Sequence, residues 1–319
     1  MNHHQVLLKK GVASGVRKGW EGFLWLLKIL IPISLFTALL AWSGFIHRVE
    51  FLTRPMMSWL GLPAMAAFPI LIGLLTGIYG AIAAMAVLPF TQDQLTLIAI
   101  FMLMAHNLIQ EGIIQGKTGL RFLKATLFRI AAASITVIIV SQFLDSTPEA
   151  PAFAVNAFSE APSLLLTLKD WFLSTLHLCV RILLVMMGIM ILLEVLKTFD
   201  WMRPLAKRFS PVLKLMGLNE NVGLLWMTGA VFGLVLGSAV IMEESREGHL
   251  EKEELESLHL SIGINHSFIE DPALFMAMGL NAFWLWVPRL IMAIVLVHLF
   301  GLWQRRKKRP ESSSPRRSP

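Results

Sequence analysis

Two short segments place ionisable side chains inside otherwise apolar sequence. The first is HNLIQEG (His106–Gly112). The second, with the residue before it, is NHSFIEDP (Asn265–Pro272). The first couples an imidazole to one carboxylate and the second to two, about a helical turn away, and the amides and hydroxyl of Asn107, Gln110, Asn265 and Ser267 lie among them. Imidazole with carboxylate is the combination that takes up and releases a proton near neutral pH. The neutral donors and acceptors beside it suit a small polar solute or an ion. The candidate binding set is therefore His106, Asn107, Gln110, Glu111, Asn265, His266, Ser267, Glu270 and Asp271. Within it Glu111 and Glu270 are the expected charge-bearing pair. Arg129 and Arg289 follow the segments at matching distances and are their expected charge partners. A plainer reading stands beside this one: a polar structural plug whose carboxylates pair with the arginines only to satisfy buried charge. Arg181, one turn after His177 in another apolar run, also needs a partner, Glu194 or a carboxylate of the two segments.

The surroundings make these residues expensive. Of 319 residues, 55% are hydrophobic and 15% charged, and the mean hydropathy is +0.66. Soluble domains carry about a quarter charged residues. Cys179 is the only cysteine, so neither a disulfide framework nor a thiolate metal cluster is available. There is no HExxH, no GxxxxGK[ST] phosphate loop and no GxGxxG turn after a strand. An enzyme is not expected, nor a cofactor, a metal centre or a nucleic-acid partner. The net charge of +7 comes largely from the two ends and one loop, as in a membrane protein with basic cytoplasmic flanks.

Six stretches are apolar over the ~20 residues a crossing requires: Leu24–Ile46, Ala64–Leu88, Leu123–Phe143, Trp171–Leu196, Gly223–Met242 and Ala282–Trp303. The segments Leu95–Gly116 and Leu255–Gly279 are too polar in their second halves to face lipid and are expected to be re-entrant. Basic residues cluster before the first span, at Lys197–Lys214 and after Gln304, which places those parts in the cytoplasm. Leu144–Leu168 carries no Lys or Arg, and Glu243–Ser257 is acidic; both are expected outside. The localisation expected is a bacterial inner membrane, multi-pass, with both termini cytoplasmic.

The second half of the chain repeats the first. At an offset of 160, His106 falls on His266, Gln110-Glu111 on Glu270-Asp271, Gly119 on Gly279 and Arg129 on Arg289. At an offset of 156, Gly61 falls on Gly217, Gly73 on Gly229 and Gly77 on Gly233. Three crossings per unit make the second unit upside down relative to the first, a recurring plan of secondary transporters. The expected fold is an all-α polytopic membrane protein of two inverted repeats, each with three transmembrane helices and one re-entrant segment. Its divisions are a cytoplasmic segment (1–22), a first repeat (23–145), an external linker (146–168), a second repeat (169–304) and a basic cytoplasmic tail (305–319).

In these glycine-rich spans followed by a polar break, Gly61…Gly73…Gly77…HNLIQEG and Gly217…Gly229…Gly233…NHSFIEDP, the chain resembles the membrane Gate, or nucleoside-recognition, family. That family includes the spore maturation proteins A and B, the gate regions of B-type ferrous-iron transporters and, more distantly, concentrative nucleoside transporters. The resemblance implies two gate units acting together. It makes a permease or secondary transporter for a small polar solute, nucleoside-like or ionic, the leading expectation, with proton coupling. A non-transporting membrane assembly or signalling factor of the spore-maturation type is the alternative. The expected partners are the lipid bilayer, the solute or ion, and further copies of the chain.

Overall fold

A backbone in lipid must close its hydrogen bonds within the segment, and the helix is the open-ended form that does so. The computed structural model describes residues 3–144, 163–218, 222–246 and 251–308, and no strand occurs among the described residues. The first half contains α1 (His3–Trp42), α2 (Phe45–Trp59), α3 (Ala67–Thr76), α4 (Ile78–Met85), α5 (Gln92–Ala105), α6 (Leu108–Lys117) and α7 (Phe122–Val140). The second contains α8 (Leu164–Thr198), α9 (Met202–Leu215), α10 (Gly223–Arg246), α11 (Lys252–Asn265), α12 (Glu270–Ala277) and α13 (Ala282–Lys308). Five stretches are long and apolar enough to cross a membrane: α1, α5 together with α6, α7, α8 and α13. The chain is an all-α, multi-pass membrane protein.

Small residues set the packing of the two longest helices. Gly11, Gly15 and Gly19 recur every fourth position and form one face of α1. A Cβ on Gly11 would lie 3.1 Å from Val195 Cα, one on Gly15 2.5 Å from Ile191 Cα, and one on Gly19 2.6 Å from the Met187 sulfur. The partner numbers fall as the glycine numbers rise, so α1 and α8 run antiparallel at close approach, as small-residue faces allow in membranes. Further along, the Trp171 indole donates to Ser34 Oγ at 3.1 Å.

The division between spans and re-entrant segments is the reverse of that expected. Ala64–Leu88 is not an uninterrupted span. Gly77 (φ 93°, ψ −177°) adopts a conformation open essentially to glycine alone, and the chain folds back there. A Cβ on Gly73 would lie 2.8 Å from Ala81 Cβ, whereas eight residues of straight helix would separate the two by about 12 Å. Gly223–Met242 folds back in the same way at Gly233 (φ 82°, ψ 171°), where a Cβ on Gly237 would lie 2.5 Å from Gly229 Cα. The polar segments, by contrast, traverse the protein. α5 begins at Gln92, whose Nε2 donates to Gly279 O at 2.7 Å, and α6 leads to Gly119, where a Cβ would lie 2.5 Å from Leu255 Cδ2. α11 begins beside that point and α12 leads back to Gly279. The kinked helices α5–α6 and α11–α12 therefore run antiparallel through the same thickness. Hydropathy misled because a hairpin sheathed by protein can be as apolar as a span, and a span buried in protein can carry polar residues.

The position of the acidic segment also differs from expectation. Glu256 Oε2 lies 3.0 Å from Lys124 Nζ, and that same Nζ sits 4.9 Å from the Phe300 ring centroid near the end of α13. The described start of α11 therefore shares a face with the basic start of α7 and the C-terminal end of α13. It cannot be external while the tail is cytoplasmic. Orientation follows Lys and Arg and is little affected by Asp and Glu, so the acidic run carried no evidence of sidedness. Most of the expected external linker (146–162), residues 247–250 of the acidic run, and the tail beyond 308 lie outside the described residues.

Candidate functional site

Both traversing helices break at their histidine. In α5–α6 the break comprises His106 (φ −95°, ψ 165°) and left-handed Asn107 (φ 47°). In α11–α12 it comprises His266 (φ −66°, ψ 157°) and left-handed Ser267 (φ 47°). A break strands carbonyls and amides that lipid cannot satisfy, and the same side chains serve in each half. Arg129 Nε donates to Met104 O at 2.9 Å and its Nη2 to His106 O at 3.0 Å. Arg289 Nε donates to Ile264 O, and its Nη2 to His266 O at 2.5 Å. The hairpins complete the splint. Asn107 N–H donates to Gly73 O at 2.9 Å and Phe268 N–H to Ala230 O at 2.5 Å. A Cβ on Gly77 would meet Asn107, and one on Gly233 would meet Ser267.

The two breaks meet. His106 Nε2 and His266 Nε2 are 3.3 Å apart. Glu111 bridges them, with Oε1 3.1 Å from His106 Nε2 and Oε2 3.1 Å from His266 Nε2; the latter oxygen is also 2.7 Å from Arg129 Nη1. Asp271 Oδ2 lies 3.7 Å from His106 Nε2 and accepts no hydrogen bond among the described residues. Arg289 Nη1 likewise makes no hydrogen bond among the described residues. All six side chains belong to buried residues, with exposure between 1% (Arg129, Arg289, His266) and 6% (His106).

The tautomers follow from the backbone. His106 Nδ1 lies 2.7 Å from Met102 O, and His266 Nδ1 lies 3.2 Å from Ile262 O. A carbonyl only accepts, so both Nδ1 atoms carry hydrogen. In neutral rings both Nε2 atoms then present lone pairs, to each other and to a carboxylate. Such a group is stable only with a proton between its members. The centre thus has a place for at least one shared proton, held by His106, Glu111 and His266.

The ligand atoms of His106, His266 and Asp271 lie within 4.8 Å of one another, a spacing that a metal ion could bridge. Charge opposes it. Two carboxylates already balance two guanidiniums, so a divalent ion would leave about two uncompensated positive charges in a buried site, where each costs several kcal/mol. A proton asks far less.

Of the candidate residues, the structure gathers His106, Glu111, His266 and Asp271, with Arg129 and Arg289 at their backs. Glu270 is not paired with Arg289; its Oε1 accepts from the Tyr79 hydroxyl at 2.9 Å. Asp271, aligned with Glu111 in the repeat, occupies the central position instead. Asn107 Nδ2 donates to the exposed Gln110 at 2.9 Å, and Ser267 Oγ packs on Gly233. Asn265 is fully buried, and its amide makes no hydrogen bond among the described residues. Arg181 lies elsewhere, exposed on α8, and its suggested partner Glu194 is held by Lys18 at 2.5 Å and Ser14 at 2.7 Å. Sequence reasoning missed Tyr79, Gln115 and His259. Tyr79 is the only tyrosine and stands two residues after the first hairpin glycine, the one signal that could have singled it out.

The chain is 24% identical over 303 residues to an uncharacterized membrane protein, YvoD, of Bacillus subtilis (strain 168), covering 93% of this chain and 97% of that protein. The likeness therefore extends through both halves and supports a membrane protein. No family description matches the chain, and no solved structure matches it.

Proposed function

We propose that the protein is a secondary transporter or permease for a small polar solute, built from two inverted gate units and driven by proton uptake at the central cluster. One observation carries this reading: four acceptor-bearing side chains, His106, His266, Glu111 and Asp271, converge at the junction of the two halves with too few donors unless a proton is added. Intramembrane ionisable groups are costly, and in transporters they mark ion and proton pathways. The antiparallel course of α1 with α8, and of α5–α6 with α11–α12, suits the inverted plan, in which broken helices meet near the midplane. The resemblance to Gate proteins points to the same class, and a bacterial inner membrane is its natural setting.

The arginines favour a structural contribution beside this one, because each ties down two carbonyls of a break. That role builds the site around Glu111 and Asp271. The test is uptake into reconstituted vesicles of nucleosides, amino acids and divalent cations, with and without a proton gradient. Asp271→Asn removes a carboxylate whose buried Oδ2 accepts no hydrogen bond among the described residues, so the variant, checked for native helix content by circular dichroism, should lose proton-linked uptake. Gradient-driven uptake at the native rate by Asp271→Asn and Glu111→Gln together would end the proposal in favour of an assembly role.

A further inference from the structure

A line of buried polar groups leaves the central cluster along the seam between α6 and α11. On α6, Gln115 follows Glu111 by one helical turn, so both project from the same face. On α11, His259 and Gly263 precede His266 at helical spacing. The two faces meet. Gln115 Nε2 donates to His259 O at 3.0 Å, and His259 Nε2 lies 2.9 Å from Thr118 O, to which it donates. A Cβ on Gly263 would fall 2.9 Å from Gln115 Nε2 and 3.6 Å from Arg129 Cδ, so the glycine makes room beside the arginine of the cluster. One turn farther on, the line reaches the surface at the Lys124–Glu256 ion pair.

Gln115 is 1% exposed and His259 0%, yet Gln115 Oε1 and His259 Nδ1 have no hydrogen-bond partner among the described residues. With Nε2–H committed to Thr118 O, Nδ1 is an acceptor in the neutral ring. Two acceptors buried at membrane depth need donors, and ordered water is the ordinary source. The repeat supplies an internal control. The positions matching Gln115, Thr118, His259 and Gly263 are Phe275, Met278, Ala99 and Leu103, all buried and apolar. The matching seam of the other half therefore has no polar side chain at these positions to hold water.

We infer that the α6·α11 seam is a one-sided water-filled proton path. It connects the shared proton site of His106, Glu111 and His266 to the membrane face that carries Lys124 and Glu256, with Gln115 and His259 as the residues that hold its water. A proton enters as hydronium at that face and passes along the water by exchange of O–H bonds. It ends on the His106–Glu111–His266 group, and the last water keeps its own two hydrogens. His259 keeps its Nε2–H throughout and is a positioning residue. The inference rests on the proton-linked reading above and names the route by which that site is loaded.

Hydroxyl-radical footprinting of the full chain in lipid nanodiscs tests it, because radiolysis marks side chains that touch water even when no surface is exposed. His259 should be oxidised, while Phe275 and Met278, intrinsically more reactive, stay unmodified. Gln115→Leu should then remove the His259 signal while leaving marks on exposed Trp59 unchanged. An unmodified His259 in the native protein overturns the path, and equal labelling of Phe275 and Met278 overturns its one-sidedness. Both readouts are independent of uptake. A footprint as expected with uptake indifferent to the proton gradient would fault the transport reading alone, and the reverse result would fault only the route.

Discussion

Arg129 and Arg289 occupy equivalent positions, and their unequal surroundings allow a quantitative test. Each donates to two carbonyls of a helix break. Such charge-assisted bonds contribute about 1.5 kcal/mol or more each, so Arg289→Met should cost about 3 kcal/mol. Arg129 has in addition a buried ion pair with Glu111 at 2.7 Å. Removing one partner of a buried pair costs about 3–5 kcal/mol, because the other charge is left uncompensated. Arg129→Met should therefore be the more damaging change by that margin, and adding Glu111→Leu should return at least about 2 kcal/mol, since contacting residues couple by up to about 3 kcal/mol. Equilibrium unfolding in mixed micelles, followed by the fluorescence of the ten tryptophans, gives the values for the native protein and the three variants. Equal losses for the two arginines, or a double variant weaker than Arg129→Met alone, would refute the claim that Glu111 and Arg129 form the charge pair on which the site is built.

Gly77→Ala and Gly233→Ala should each destabilise the protein by about 1–3 kcal/mol in the same unfolding assay, the cost of forcing a side chain into a conformation reserved for glycine; at Gly77 this is torsional strain alone, since the nearest atom to the new Cβ would be 3.7 Å away. Zinc or manganese added to the purified protein should leave its thermal midpoint unmoved, because the cluster's carboxylates are already balanced by Arg129 and Arg289; a saturable upward shift lost in His106→Ala would contradict that balance. In a Cys179→Ser background, Arg121→Cys and Glu254→Cys should react with a membrane-impermeant thiol reagent from the same side of sealed vesicles. Labelling from opposite sides would overturn the shared face inferred from the Lys124–Glu256 pair.

Much of the plan was legible in the residues alone. Low charge and long apolar runs dictated a helical membrane protein, since lipid leaves the backbone few alternatives. The repeated His, Arg and Gly positions marked where the two halves would behave alike, because a helix break at either histidine needs the same arginine to cap it. What could not be read was which apolar run crosses and which turns back. Ala64–Leu88 and Gly223–Met242 read as spans, and the hairpins show only in the positive φ angles of Gly77 and Gly233 and the close approach of the segments on either side of them. The preference for Glu270 over Asp271 failed for a related reason. Both lie in the first turn of α12, and the direction of that turn, not their chemistry, sends Asp271 to the cluster and Glu270 to Tyr79.

Composition and periodicity thus determined the material of this protein: apolar helices, two alike halves, and a handful of ionisable residues too costly to be idle. The tertiary structure alone decided their relations, bringing His106 within 3.3 Å of His266 across 160 residues of chain. Helical periodicity reports on neighbours three or four residues apart. The encounter of two breaks depends on how whole helices cross, and that is set by packing summed over the entire fold.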